Sequence, residues 1–247
     1  MTVQAPLTYR AFGAAGTVGE FETHLTLAAT DAEALPDTRP DTRPDTRPDA
    51  LPALARWAQA HGLKYTHIVL ARGQHPSQPM LSWRAAGTFQ EQLERAERLT
   101  AALRTDGFTP VRVKCEAAPW APGVPGSDSE AELLGPARYF EHHLKVLLAP
   151  GERAALVRAV AGHCAHVSWN ARRTDPTGRG QQFVTQRCHG VGRRTAEHRL
   201  AALTDTLVAA GHPPIAVERE FVVHDSNLAV DDGWIAADGS TPKDPTP

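Results

Sequence analysis

The chain has 247 residues, with 28 acidic and 26 basic side chains, a formal net charge of −2 and 41% hydrophobic residues. That composition is ordinary for a globular protein with one large core or two small ones. The near-neutral charge supplies no global field towards nucleic acid or anionic lipid, and no apolar run reaches the length of a membrane span.

Met1-Thr2-Val3-Gln4-Ala5-Pro6 lacks a basic region followed by an apolar stretch, so no signal peptide is expected. Cys115, Cys164 and Cys188 form an odd set with no CxxC pair. Reduced thiols and a cytoplasmic location are the simplest expectation.

In chain order, Phe21 to Leu27 alternates apolar and polar residues, as a half-buried strand does. Asp37-Thr38-Arg39-Pro40 then recurs from Asp41 and Asp45, which reads as a mobile Pro-rich insertion over 36–49. Leu51, Leu54 and Trp57/Ala58 recur at helical spacing, with Gly62 placed as a C-terminal cap. Two strands, Tyr65–Leu70 and Met80–Arg84, flank the turn Gly73-Gln74-His75-Pro76. Thr88-Phe89-Gln90-Glu91 is a capping box opening a helix with Phe89, Leu93, Ala96, Leu99 and Leu103 on one face. Gly107 stops that helix, and Val111–Cys115 is a closing strand.

The scheme then repeats. Phe21-Glu22-Thr23-His24-Leu25 matches Phe140-Glu141-His142-His143-Leu144, and Tyr65-Thr66-His67-Ile68 matches Cys164-Ala165-His166-Val167. Ser82 and Arg84 match Thr185 and Arg187, and Gly107 through Glu116 matches Gly211 through Glu220. Leu156, Val157 and Val160, then Leu200, Leu203 and Leu207, form the second pair of helix faces. Four matches in one order predict an α+β protein, a tandem duplication of a ferredoxin-like βαββαβ unit, with two antiparallel sheets related by a pseudo-two-fold. The expected organisation is a first repeat over 1–120, a linker at 121–135, a second repeat over 136–235 and a disordered tail at 236–247.

Strand alternation sorts side chains by face. Glu22 and His24 share one register, as do Glu141, His143 and Lys145. Arg112, Lys114 and Glu116 share another, matched by Glu218 and Glu220. If Thr66, Ile68 and Leu70 face the helices, His67 and its match His166 join the polar side, along with Arg84 and Arg187. Both halves thus place Glu, His and Arg on the face away from the helices. Two polar faces flanking a common cleft account for this; paired salt bridges on exposed sheet faces are the competing account.

The leading functional expectation is an enzyme acting on a small anionic metabolite. His24, His143, His67 and His166 would carry protons, with Glu22 and Glu141 beside them. Arg84, Arg187, Lys114, Lys145, Glu116 and Glu220 would form the ligand-binding set, the cations holding an anion. The turn Cys188-His189-Gly190-Val191-Gly192-Arg193-Arg194, directly before a helix, could add backbone N–H groups for an anion. A divalent metal on the Glu-x-His pairs ranks lower, because the nearby Arg and Lys oppose a cation, so neither metal nor cofactor is expected. The expected partner is a small ligand rather than nucleic acid or membrane.

His24-Leu25-Thr26-Leu27 and His166-Val167-Ser168-Trp169 resemble the His-x-Thr/Ser strands of the 2H phosphoesterases. That resemblance implies cyclic phosphodiester hydrolysis by His24/Thr26 and His166/Ser168. It runs against the internal repeat, which pairs His24 with His143 and His166 with His67. A non-catalytic ligand-binding or oligomerisation module is the third reading, with the polar faces as an oligomer interface; an exposed sheet edge could also pair two chains into a homodimer.

Overall fold

The computed structural model describes residues 18–29, 50–174 and 180–234. The Asp-Thr-Arg-Pro tract and the segment 236–247 lie outside the described residues, so the expectations for them are carried no further.

The elements follow the order β1 (Val18–Leu27), α1 (Ala50–Ala60), β2 (Lys64–Leu70), β3 (Ser77–Thr88), α2 (Phe89–Thr105) and β4 (Pro110–Ala117). A short helix α3 (Asp128–Ala131) occupies the connector. The order then recurs as β5 (Tyr139–Leu148), α4 (Arg153–Val160), β6 (Ala165–Thr174), β7 (Gly180–His189), α5 (Arg193–Ala209) and β8 (Ala216–Asp225). A 3-10 turn, Leu228–Asp231, follows the last strand. The local signals act as their chemistry dictates. The Thr88 hydroxyl accepts from the Glu91 N–H at 3.2 Å while the Glu91 carboxylate accepts from the Thr88 N–H at 2.6 Å, closing the capping box of α2. Gly62, at φ 66°, ends the first helical segment in the left-handed region that a Cβ disfavours.

All pairings between strands are antiparallel, in the order β1-β3-β2-β6-β7-β5-β8-β4, and the ends join into a closed barrel. Within each half the order is that of a ferredoxin-like unit: β4-β1-β3-β2 and β8-β5-β7-β6. The two separate sheets expected from the sequence are therefore one. β2 pairs with β6 from Ile68↔Asn170 to Leu70↔Ser168, and β4 pairs with β8 from Lys114↔Asp225 to Ala117↔Phe221. Joining edge to edge satisfies the ladder groups that each half would leave unpaired. It also removes the exposed edge on which the expected homodimer relied, since every described strand has two neighbours.

The helices lie outside the barrel over two apolar clusters. Leu25, Leu81, Leu54, Trp57 and Leu103 pack in the first half, and Leu144, Val184, Leu156, Leu203 and Leu207 in the second. A third cluster, with Phe21, Cys115, Phe140, Cys188 and Phe221, brings together residues of both halves beside the β4–β8 seam. Truncating any of these fully buried leucines costs about 2–5 kcal/mol. The apolar set fixes which register faces outward, and thereby sends the polar set into the barrel.

Candidate functional site

The barrel encloses a cavity of about 150 Å³, lined among others by Glu22, His24, Ser82, Glu141, His143, Thr185 and Arg187. That is room for about five waters or a small polar group. A larger vestibule of about 400 Å³, lined by Glu20, Phe21, Arg84, Trp120 and Arg219, shares Glu22 and Glu220 with it.

Antiparallel register stacks the polar residues in matching rows. Across β3, β1 and β4 the rows are Arg84–Glu22–Glu116 and Ser82–His24–Lys114. Across β7, β5 and β8 they are Arg187–Glu141–Glu220 and Thr185–His143–Glu218. Outward Phe21 and Leu25, like Phe140 and Leu144, hold β1 and β5 in this orientation.

Inside, the charges alternate in one continuous chain. Arg112 binds Asp225 at 2.5 Å and Asp231 at 2.8 Å, and Arg187 binds the same Asp231 at 2.7 Å. Arg187 Nε donates to Glu141 at 2.6 Å, Lys114 Nζ bonds Glu141, and Lys114 also meets Glu116 at 2.6 Å. His24 Nε2 completes the chain on Glu116 at 2.7 Å. Glu116 and Glu141 are each 1% exposed. Burial, the largest single influence, pushes both carboxyls up, but Lys114 together with His24 at Glu116, and with Arg187 at Glu141, outweighs it, so both fall below the usual range. Asp231 is likewise held at about 2, its burial overcome by Arg187 and Arg112. Tyr139 Oη donates to Asp225 at 2.9 Å, and Gln78 Nε2 to Asp231 at 2.9 Å.

The two central histidines each connect a carboxylate to a hydroxyl. His24 Nδ1 lies 3.0 Å from Ser82 Oγ, with Nε2 on Glu116. His143 Nδ1 lies 3.0 Å from Thr185 Oγ1, and its Nε2 is 3.4 Å from both Glu141 and Glu220. Burial alone would lower the His143 pKa, but its two carboxylate partners raise it to about 10. It is therefore an imidazolium at neutral pH, an acid and charge partner rather than a base. Glu220 is raised, by burial and by Glu116, against the pull of His143.

Several expected residues are placed differently. His67 points to the outer, helix-bearing side and bonds Ser77 at 2.9 Å, because Thr66, Ile68 and Leu70 line the cavity instead. The cross-strand pairs give the reason: Ser82 opposes His24 and Lys64, while Thr185 opposes His143 and His166. Lys64, not His67, is thus the counterpart of His166; the sequence alignment was displaced by three residues, and an odd displacement inverts the face. His166 lies beside Arg72, at 3.2 Å, and 6.0 Å from the Trp234 ring. Burial, then the Arg72 and Arg187 charges, lower its pKa to about 4, leaving it neutral. Lys145 sits over the Phe183 ring at 5.5 Å.

The expected anion cradle is largely occupied by the protein's own carboxylates. Arg187 and Lys114 are committed as described, and Arg84, 74% exposed, pairs with Glu22 at 2.5 Å. At the start of α5, the Gly192 N–H donates to Asp128 at 2.8 Å and the Thr195 hydroxyl to the same carboxylate at 3.0 Å. The connector therefore caps the glycine turn offered by the sequence as an anion site. A Cβ on Gly192 would stand 2.3 Å from the Ser127 carbonyl carbon, so only glycine allows this approach. Among the described residues, Lys64 is a cavity-lining cation without an ion pair.

Glu116, Glu141 and His143 bring potential metal-ligand atoms within 4.8 Å of one another. The Lys114 ammonium contacts both carboxylates and so takes the position a cation would need. The residues of the 2H resemblance are divided: His24 and Ser168 line the central cavity, while Thr26 lines a separate one with Gln74 and Asn227. Ser82, Thr185, Lys64, Asp225 and Asp231 were missing from the expected site set. Ser82 and Thr185 carried a usable signal, since they recur beside Arg84 and Arg187 in the two halves.

No protein-family profile matches the chain, and no characterised protein matches it in sequence. Among solved structures it is similar to the acetolactate synthase small subunit of Thermotoga maritima, at 12% identity and a TM-score of 0.26, covering 81% of this chain and 92% of that one. A putative chlorite dismutase aligns at 12% identity and a TM-score of 0.25, over 86% and 96% of the two chains. A dye-decolorizing protein from V. cholerae aligns at 12% identity and 0.22, over 83% and 94%. At these scores none of the likenesses carries an argument about function, and no described helix is long and apolar enough to cross a membrane.

Proposed function

We propose that the chain is an enzyme that receives a small polar metabolite through the vestibule and transfers a proton to or from it in the barrel. The carrying observation is the Glu116–His24–Ser82 relay, whose His24 and Ser82 line the inner cavity. An imidazole held between a carboxylate and a hydroxyl is oriented for proton transfer. His143, kept charged by Glu141 and Glu220, supplies an acid or a fixed positive charge opposite it. An anionic head group would be met by Lys64, because the other cations of the cavity already have carboxylates.

The recurring element order, the matching rows and the paired His–hydroxyl contacts support a tandem duplication with repeats divided at 121–135. Three free thiols support a cytoplasmic location.

Imidazole ¹H–¹⁵N spectra recorded with increasing acetate and glycolate test the site. Saturable shifts at His24 and His143, abolished at the His143 signal by Ser82→Trp to fill the cavity, are expected. Signals that stay fixed with both probes, in a protein whose fold is intact, would contradict a ligand site in the barrel.

A further inference from the structure

We propose that Ser82 is a nucleophile that accepts a small acyl group, with His24 as its general base and Glu116 as the group positioning His24. The proposal rests on the reading of His24 as a proton carrier and adds the reacting atom. Ser82 is 2% exposed, yet it lines the cavity, so its hydroxyl meets a ligand without competing with bulk water. In the tautomer that donates Nε2–H to Glu116, at 2.7 Å, Nδ1 is left to accept from the Ser82 O–H at 3.0 Å. That is the order of partners an activated serine requires.

The second half supplies an internal comparison. Thr185 stands at the same 3.0 Å from His143, but His143 faces two carboxylates, at 3.4 Å each. A charged imidazole donates from Nδ1 and cannot take the hydroxyl proton. His24 instead meets one carboxylate, which it shares with Lys114 at 2.6 Å. Lys64, the other cross-strand neighbour of Ser82, also lines the cavity and supplies positive charge beside the developing oxyanion.

The chemistry balances with water as the co-reactant. Ser82 Oγ bonds to the carbonyl carbon of a small ester as its proton passes to His24 Nδ1. The ester C–O bond then breaks and the leaving alkoxide takes that proton, giving an alcohol and acyl-Ser82. Water, deprotonated by His24, attacks the acyl carbon; the Ser82 Oγ bond breaks and recovers the proton, releasing the acid.

Methanesulfonyl fluoride is small enough for the cavity and reports the nucleophile without a known substrate. Treating the full chain with it, followed by intact-mass and peptide mass spectrometry, should give one methylsulfonyl adduct, on the peptide carrying Ser82. His24→Gln should slow labelling by at least about 100-fold, the low end of a general-base contribution, and Ser82→Ala should abolish it. Where Ser82→Ala does not fold, the position of the adduct in the unaltered protein decides. An unlabelled Ser82, or a His24→Gln rate within about tenfold of the original, overturns the proposal. Acetate or glycolate shifts at His24 without labelling would leave the binding site standing and remove only the nucleophile.

Discussion

Replacing Glu141 by Gln keeps the side-chain volume and removes one negative charge from the centre of the barrel. Glu141 meets Arg187 at 2.6 Å, His143 at 3.4 Å and Lys114 as a direct hydrogen-bond partner. At an effective dielectric constant of about 20, a single unit pair at His143's distance is worth about 5 kcal/mol. Three such attractions far exceed the net effect, because neutralising Glu141 also removes its own desolvation cost of several kcal/mol. The expected loss is therefore that of a broken buried pair, about 3–5 kcal/mol. For a chain of this size it lowers Tm by roughly 6–20 °C. Glu22→Gln is the matched control, since Glu22 occupies the corresponding row but its partner Arg84 is 74% exposed. An exposed pair contributes less than about 1 kcal/mol. Thermal and urea unfolding of both variants, followed by circular dichroism at neutral pH, provide the comparison. Equal, small losses would show that the Glu141 environment is as wet as that of Glu22, and the buried charge chain would fall.

Stability should also depend on pH through His143. Its folded pKa of about 10 lies above the ordinary value of 6.5, so its contribution is full below about pH 6.5 and is lost as pH rises through about 10. His143→Gln should flatten that alkaline decline in urea titrations, and an unchanged slope would refute the assignment. Cysteine reactivity should divide by burial: Cys115 and Cys188 are buried, with thiols pushed up to about 12 and 11 by that burial, whereas Cys164 is exposed. Iodoacetamide at neutral pH should modify Cys164 alone in the folded protein and all three thiols in denaturant; native labelling of Cys115 or Cys188 would be the contrary result.

The sequence made some of this legible and not the rest. On β1 and β5, strongly apolar Phe21, Leu25, Phe140 and Leu144 alternate with Glu and His, so the hydrophobic period alone decides the face. On β2 that signal is absent: Ile68 and Leu70 line the cavity, while Tyr65 packs with the outer cluster. With apolar residues on both sides, the shared histidine is the strongest mark for matching the repeats, and it misplaces His67 and hides Lys64. Barrel closure was not readable either, because the β2–β6 and β4–β8 seams join residues far apart in the chain and leave no local periodic mark. Asp231 and Trp234 follow the last strand, and only the folded chain shows that they line the cavity. The carboxylates Glu141, shared by Lys114 and Arg187, and Asp231, met by Arg187, come from another strand and from the final turn, where no local pattern marks them as partners.

The two polar faces form one interior, and the contact that joins them most directly is Lys114 of the first half with Glu141 of the second. A double-mutant cycle with Lys114→Met, Glu141→Gln and the combined variant measures that contact by urea unfolding. A shared interior predicts a coupling energy of about 1–3 kcal/mol, within the range for residues in one buried network. Losses that add to within about 0.5 kcal/mol would show that the residues do not meet, and the common cavity would be wrong.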